Sequence, residues 1–158
     1  MVTLAIAAIL LTLGVPGMTE FVRDVRRDAR VSDLVVALNY CRSEAIKLGH
    51  EVTLCPSADG ATCVGKAEWE HGWIVFADVN SNGVVNGGET ILRVWGAIFD
   101  DGTIRGGKKR ITYQSTGFSL GYNDTLRICD VRGVEKAKSV IVSMQGRARV
   151  VAGASQCL

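Results

Sequence analysis

The sequence predicts an α+β fold in which one long N-terminal helix packs on antiparallel β-sheet. Three observations predict it: an apolar run opens the chain, an amphipathic helical repeat follows, and apolar residues recur at every second position after Gly49. Apolar residues three or four apart share one side of a helix, whereas alternation is typical of half-buried strands. The helix therefore has an apolar front half and an amphipathic rear half, and the sheet covers the rear half.

The front half of the helix is the run VTLAIAAILLTLGV, residues 2–15, which contains no charge. A helix that is apolar all round needs lipid or other helices around it. This run rises about 20 Å, against the roughly 30 Å of a hydrocarbon core, so it is too short to span a bilayer as it stands. We interpret residues 1–17 as a membrane or filament-core segment and residues 18–158 as one globular domain.

The rear half of the helix, residues 18–48, carries an apolar stripe. Its members are Val31, Leu34, Leu38, Cys41, Ala45 and Leu48. Gly49 is well placed to end the helix. Beyond it, residues 50–158 form the predicted sheet region, with candidate strands at 51–55, 73–78, 90–95, 110–115, 125–130, 138–144 and 147–151. Gln145 and Gly146 between the last two strands predict a tight hairpin.

Four of the five cysteines predict disulfides. Cys55 and Cys63 bracket a polar loop, and Cys129 and Cys157 lie near the end of the chain. We expect the pairs Cys55–Cys63 and Cys129–Cys157, which implies an oxidising, extracytoplasmic compartment. Cys41 lies on the apolar helical stripe, where a buried thiol acts as a small hydrophobic side chain.

The charge of the chain is unevenly distributed. The net charge is +2, but residues 1–101 carry 8 basic and 13 acidic side chains, whereas residues 102–158 carry 10 basic and 3 acidic ones. The excess of positive charge in residues 102–158 indicates a polyanionic partner, either nucleic acid or an anionic surface. The alternative is a cationic sheet edge that prevents strand-to-strand aggregation.

The last hairpin holds the candidate DNA-binding residues, Lys136, Lys138, Arg147 and Arg149. Arg147 and Arg149 are two apart, so they point to the same face of a strand. We expect Lys138 to lie near them and the row to contact phosphates of double-stranded DNA without reading its sequence. A second basic cluster, interpreted as a solvated turn, comprises Lys108, Lys109 and Arg110.

A calcium-loop pattern occupies residues 78–89. Asp78, Asn80, Asn82 and Glu89 stand at ligand positions, with Gly83 at the required glycine. Strand-like segments flank the loop where an EF-hand has helices, and Asn-Gly between strands is a hairpin signal. We therefore interpret the loop as a turn, with calcium as the alternative. No other cofactor or metal site is predicted, and the absence of a catalytic constellation argues against an enzyme.

Five segments carry a family resemblance: MVTLAIAAILLTLGVPGM, ARVSDLVVALNYCRSEAIKLGHEVTLC, EWEHGWIVFADVNSNG, ETILRV, and SVIVSMQGRARV followed by Cys157. In this order they resemble the type IV pilin superfamily, especially the minor pilins and pseudopilins of the FimT, FimU and type II secretion pseudopilin H (GspH) group. The resemblance implies a pilin-like fold and a subunit that joins other major and minor pilins. It also implies a single helical anchor in the bacterial inner membrane, a periplasmic domain and a place in a cell-surface pilus.

The segment Gly146-Arg147-Ala148-Arg149 resembles the C-terminal GRxR element through which FimT-type pilins bind DNA. The resemblance implies a minor type IV pilin that binds extracellular DNA for uptake in natural transformation. The alternative is a structural pseudopilin of type II secretion, or a minor pilin that primes pilus assembly, without DNA binding.

The chain departs from the family at its start. Family members open with a basic leader, a glycine at the cleavage site, a phenylalanine and a glutamate used in subunit docking. This sequence begins inside the apolar segment. We expect a truncated start, and about six or seven further residues would lengthen the apolar run to about 20, enough to cross a bilayer.

Overall fold

Helix α1, Val2–Leu48, opens the fold and runs for 47 residues. The computed structural model describes residues 2–97 and 102–157, with the backbone alone for residues 2–16. The packing of the predicted apolar segment 1–17 therefore lies outside the described side chains, apart from Gly17. Within the described residues, no helical stretch combines the length and the apolar character needed to cross a membrane.

Gly49 ends α1 as predicted. Its φ is +73°, and its N–H donates to the carbonyl of Ala45 at 3.1 Å. Glycine adopts this left-handed conformation without the steric cost that a Cβ imposes, which is why it is favoured just beyond a helix.

Two four-stranded antiparallel sheets follow in the described residues. The strands are β1 Val52–Pro56, β2 Trp73–Ala77, β3 Ile91–Trp95, β4 Thr103–Arg105, β5 Ile111–Tyr113, β6 Asp124–Cys129, β7 Lys138–Val142 and β8 Ala148–Ala152. The first sheet has the order β3-β2-β1-β5, and the second has the order β4-β6-β7-β8. The sequence predicts every strand except β4, because Thr103–Arg105 has a single apolar residue, Ile104, and alternation cannot be recognised from one apolar position.

The core lies between α1 and both sheets. The helix contributes the predicted stripe from Val31 to Ala45, all of it buried, whereas Leu48, the last residue of α1, is 41% exposed. Large buried side chains from the first sheet and its loops meet the helix, among them Trp69, Trp73 and Tyr113. The second sheet adds Leu126 and Val140 to the same cluster. One continuous core therefore joins the helix to both sheets.

The second sheet has an inner face toward α1 and an outer face toward solvent. Leu126 and Val140 are paired across β6 and β7 and belong to the core, so they define the inner face. Residues of the opposite parity point outward, because successive side chains of a strand alternate between faces. Thr125, Ile141 and Arg149 form one outward row across β6, β7 and β8.

Two disulfides close loops at the surface. Cys55 is joined to Cys63, and Cys129 is joined to Cys157, the pairings that the sequence predicts. Cys41 is a buried free thiol whose Sγ lies 3.3 Å from the carbonyl oxygen of Val52. Burial raises the pKa of the Cys41 thiol, so this cysteine remains a protonated core side chain.

Candidate nucleic-acid interface

The hairpin between β7 and β8 is held in a tight turn. The N–H of Gly146 donates to the carbonyl of Ser143 at 2.9 Å, and the N–H of Ser143 donates to the carbonyl of Arg147 at 3.0 Å. Gly146 has a φ of +76°, and a Cβ there would overlap the carbonyl oxygen of Gly117. Only glycine fits this position, and it sets the direction in which β8 begins.

Arg147 and Arg149, here called the arginine pair, lie exposed on the outer face of the second sheet. They line one groove with Ile141, Ser143 and Gln145. Neither guanidinium makes an ion pair or a side-chain hydrogen bond within the described part of the chain. Both charges are therefore available to an anion that approaches the outer face.

The expectation that Lys138 lies beside the arginine pair is wrong. Lys138 is three residues from Ile141 on the same strand, so it has the opposite parity and faces the helix. Its Nζ lies 2.8 Å from Asp28 Oδ1 on α1, and this contact lowers the pKa of the Asp28 carboxyl. Lys136 is exposed, but its carbonyl accepts a hydrogen bond of 2.6 Å from Arg27 Nη1, which places it on the helix side as well.

Two further arginines, which the sequence analysis does not predict as site residues, lie on the outer face. Arg105 of β4 is the cross-strand partner of Arg127 of β6, so the two share a face. Arg105 is ion-paired with Glu70, whereas Arg127 Nε donates to Ser155 Oγ at 3.2 Å. A signal for Arg127 exists in the sequence, since it stands between the inward-facing Leu126 and Ile128.

The second basic cluster is a solvated turn only in part. Lys108 and Lys109 are exposed, but Arg110 is not free in solvent. Its guanidinium lies 5.6 Å from the ring centroid of Tyr122, and it covers Gly83 so closely that a Cβ there would overlap it. Arg110 is thus a packing residue over the loop 78–89.

That loop forms the predicted turn between β2 and β3, held by its own side chains. Asp78 is 1% exposed, and its Oδ2 accepts hydrogen bonds from the Thr53 hydroxyl at 2.8 Å and the Gly83 N–H at 2.9 Å. Its Oδ1 accepts from the Asn82 N–H at 2.9 Å. The three remaining calcium candidates close the turn in the same way. Asn80 Oδ1 accepts from Asn82 N–H at 3.1 Å, Asn82 Oδ1 from Val84 N–H at 2.8 Å, and Glu89 Oε2 from Asn86 N–H at 3.2 Å.

One further group of described residues brings possible metal ligands together. Glu68, Glu70 and His71 each place a ligand atom within 4.8 Å of the others. Arg105 is ion-paired with Glu70 in this group, and its positive charge opposes the binding of a cation there.

Comparison with known proteins relates this geometry to one family. The family model described as type II transport protein GspH matches residues 30–146. Among curated protein sequences, none matches the chain.

Two crystal structures of the type IV minor pilin FimU from Pseudomonas aeruginosa, strain PAO1, are similar to the fold. The form in space group P65 has a TM-score of 0.65 and 18% identity, covering 83% of this chain and 99% of the other. The form in space group P21 has a TM-score of 0.68 and 18% identity, covering 87% and 99%. At this identity the likeness shows a shared fold, a long helix packed on antiparallel sheets.

Proposed function

The chain belongs to the GspH family of type II transport proteins and is a minor pilin or pseudopilin, and we propose that it binds extracellular double-stranded DNA as a FimT-type minor pilin. In this role it joins a pilus through α1 and takes up DNA for natural transformation. The family implies other pilin subunits as partners and a pilus or periplasmic location. We further propose that α1 anchors the subunit in the bacterial inner membrane before assembly.

The arginine pair is the observation that carries the DNA proposal. Both side chains are exposed on one face of a hairpin, and neither is paired with a carboxylate of the described residues. Duplex DNA carries one negative charge per about 1.7 Å of its axis, and guanidinium groups donate forked hydrogen bonds to phosphate. Two guanidinium groups two residues apart, on a backbone fixed by Gly146, are suited to adjacent phosphates.

The affinity of phosphate contacts made by the arginine pair depends on the salt concentration and not on the DNA sequence. The groove of the arginine pair is lined by Ile141, Ser143 and Gln145 beside the two arginines, and none of these described lining residues is an aromatic side chain on which a base could stack. Phosphate contacts position a protein on DNA but carry no base information. We therefore expect similar affinities for unrelated duplex sequences.

A fluorescence titration tests the proposal. The full-length chain in mild detergent is titrated with labelled duplex DNA at 50 mM and 200 mM salt. Each phosphate contact contributes about 3.5-fold to the ratio of the two Kd values. The variant Arg147→Ala/Arg149→Ala should therefore bind more weakly and show a ratio about 12-fold smaller.

The matched control removes two exposed positive charges elsewhere, in Arg23→Ala/Lys47→Ala. Both residues lie on α1, where Arg23 is 46% exposed and Lys47 is 72% exposed. This control should bind DNA like the wild type. The proposal is wrong if the wild type does not bind at 50 mM salt, or if the arginine variant binds as tightly as the wild type.

The description of the matching family model supports a second candidate function. A type II transport protein of pilin type would use the same basic surface against another subunit of its own assembly, or would prime pilus assembly without DNA binding. In that case DNA binding is absent, and Arg147→Ala/Arg149→Ala reduces co-purification with the partner pilins instead.

A further inference from the structure

The chain that follows β8 crosses the outer face of the second sheet. Cys157 is bonded to Cys129, which lies at the end of β6, two strands away from β8. On the way, the carbonyl of Gly153 accepts a hydrogen bond of 2.9 Å from the hydroxyl of Ser139. Ser139 has outward parity on β7 but is only 3% exposed, and it contacts Gly153, the first of residues 153–157, here called the C-terminal segment.

The C-terminal segment also contacts Arg127. The hydroxyl of Ser155 accepts a hydrogen bond of 3.2 Å from Arg127 Nε. Because the contact uses Nε, both terminal nitrogens of the guanidinium remain available. The Arg127 side chain makes no ion pair within the described residues. Its cross-strand neighbour Arg105 on β4 is neutralised by Glu70, so Arg127 is the one of these two arginines that has no carboxylate partner among the described residues.

The groove beside Arg127 adjoins the groove of the arginine pair. Ile141 lines both grooves, so they form one continuous surface across β6, β7 and β8. Asp124 also lines the Arg127 groove, and its negative charge acts against a phosphate. Its carboxylate is directed to backbone donors, however, accepting from the N–H groups of Gly107 and Lys108 at 2.9 Å each.

We propose that Arg127 is a third DNA-contacting residue, oriented by the disulfide-tethered C-terminal segment. This inference rests on the proposed DNA binding and extends its surface from the hairpin across the sheet. A phosphate backbone lying along the outer face meets the arginine pair at one end and Arg127 at the other. The Cys129–Cys157 disulfide and Ser155 act through Arg127, so they are positioning residues and not contacts.

The substitution Arg127→Ala tests the contact. The ratio of the Kd values at 200 mM and 50 mM salt should fall by about 3.5-fold, the effect of one phosphate contact. Lys47→Ala, which removes a charge that is 72% exposed near the end of α1, is the matched control and should leave the ratio unchanged. If the arginine-pair variant loses affinity but Arg127→Ala retains the wild-type ratio, the inference is wrong while the proposed function stands. If the wild type does not bind, the proposed function itself fails.

The substitution Ser155→Ala tests the positioning role while keeping the disulfide. It should weaken binding less than Arg127→Ala does, and it should have no further effect when Arg127 is already alanine. Cys129→Ser/Cys157→Ser should show the same dependence on Arg127, measured below the melting temperature of the variant. Additive losses in the Arg127→Ala background would contradict positioning, because they would mean that the segment acts on DNA independently of Arg127.

Discussion

Gly83 has no side chain, and this permits a close contact with the guanidinium of Arg110 that no sequence pattern predicts. The guanidinium of Arg110 lies where a Cβ of residue 83 would be, and Gly83 has a φ of +69°. An alanine there meets both a steric overlap and a left-handed backbone, which costs roughly 1–2 kcal/mol in itself.

We expect Gly83→Ala to lower the free energy of unfolding by more than about 1 kcal/mol. Gly87→Ala is the matched control in the same loop, because no atom lies within 4 Å of its added Cβ and its backbone is not left-handed. Chemical denaturation measures both variants. Equal stability of the two would show that Arg110 does not pack on Gly83.

Asp78, Gly83 and Arg110 also bear on whether the loop 78–89 binds calcium. The oxygens of Asp78 accept hydrogen bonds from Thr53, Asn82 and Gly83, and Arg110 places a positive charge over the loop. We therefore expect millimolar Ca²⁺ to leave the melting temperature unchanged. A ligand at 100 times its Kd would add about 2.7 kcal/mol. An increase of several degrees that EGTA reverses and that Glu89→Gln abolishes would establish a calcium site.

At the scale of elements, α1 is docked to the second sheet by charge as well as by its apolar stripe. Glu20, Asp24 and Asp28 are four residues apart, a like-charge spacing that destabilises an isolated helix. In the fold they have partners. Arg132, in the loop between β6 and β7, lies 2.9 Å from carboxylate oxygens of Glu20 and Asp24, and Lys138 pairs with Asp28. The like-charge spacing that destabilises an isolated helix therefore stabilises the folded protein, because Arg132 and Lys138 supply the opposite charges.

The substitution Arg132→Ala should lower the melting temperature at neutral pH by about 2–4 °C. Hydrogen bonds from Arg132 lower the pKa of the carboxyls of Asp24 and Asp130. A lowered folded-state pKa contributes stability above the unfolded value of about 3.9 and loses it as the pH falls through the folded value. The difference between variant and wild type should therefore shrink below about pH 4.

Thermal melts of both proteins between neutral and acidic pH measure this convergence. Arg23→Ala is the matched control and removes an arginine from α1, since Arg23 is 46% exposed and makes one ion pair, of 3.6 Å, with Glu20. It should change the melting temperature little at any pH. A difference for Arg132→Ala that stays constant into acid would show that the carboxylates are not its source.

At the scale of the whole molecule, two disulfides stabilise the fold to different extents. Cys129–Cys157 closes a loop of sequence separation 28, and Cys55–Cys63 closes one of separation 8. Chain-entropy arithmetic gives a contribution of about 3.5 kcal/mol for the longer loop and about 2.5 kcal/mol for the shorter one.

We therefore expect Cys129→Ser/Cys157→Ser to be less stable than Cys55→Ser/Cys63→Ser by about 1 kcal/mol. Each double variant leaves the other disulfide as an internal control, and denaturant titration compares them. The opposite order of stability would mean that native-state packing around the shorter loop, not chain entropy, dominates.

The sequence by itself determined the α+β class, the extent of the helix, seven of the eight described strands and the turn at Gln145 and Gly146. Each of these depends on neighbours along the chain, through apolar spacing and through glycine at a left-handed position. It also determined that Arg147 and Arg149 share a face, because parity within one strand is a local property.

Only the tertiary structure decided which residues join that face from elsewhere in the chain. Strand register placed Lys138 on the opposite face, against Asp28, and placed Arg127 on the outer one. The alternation around Arg127 shows that it points away from the core, but register depends on pairing between distant segments, so no local pattern shows which distant side chains share its face. For the same reason, the segment tethered by Cys157 could be located over Ser139 only once both sheets and the helix were in place.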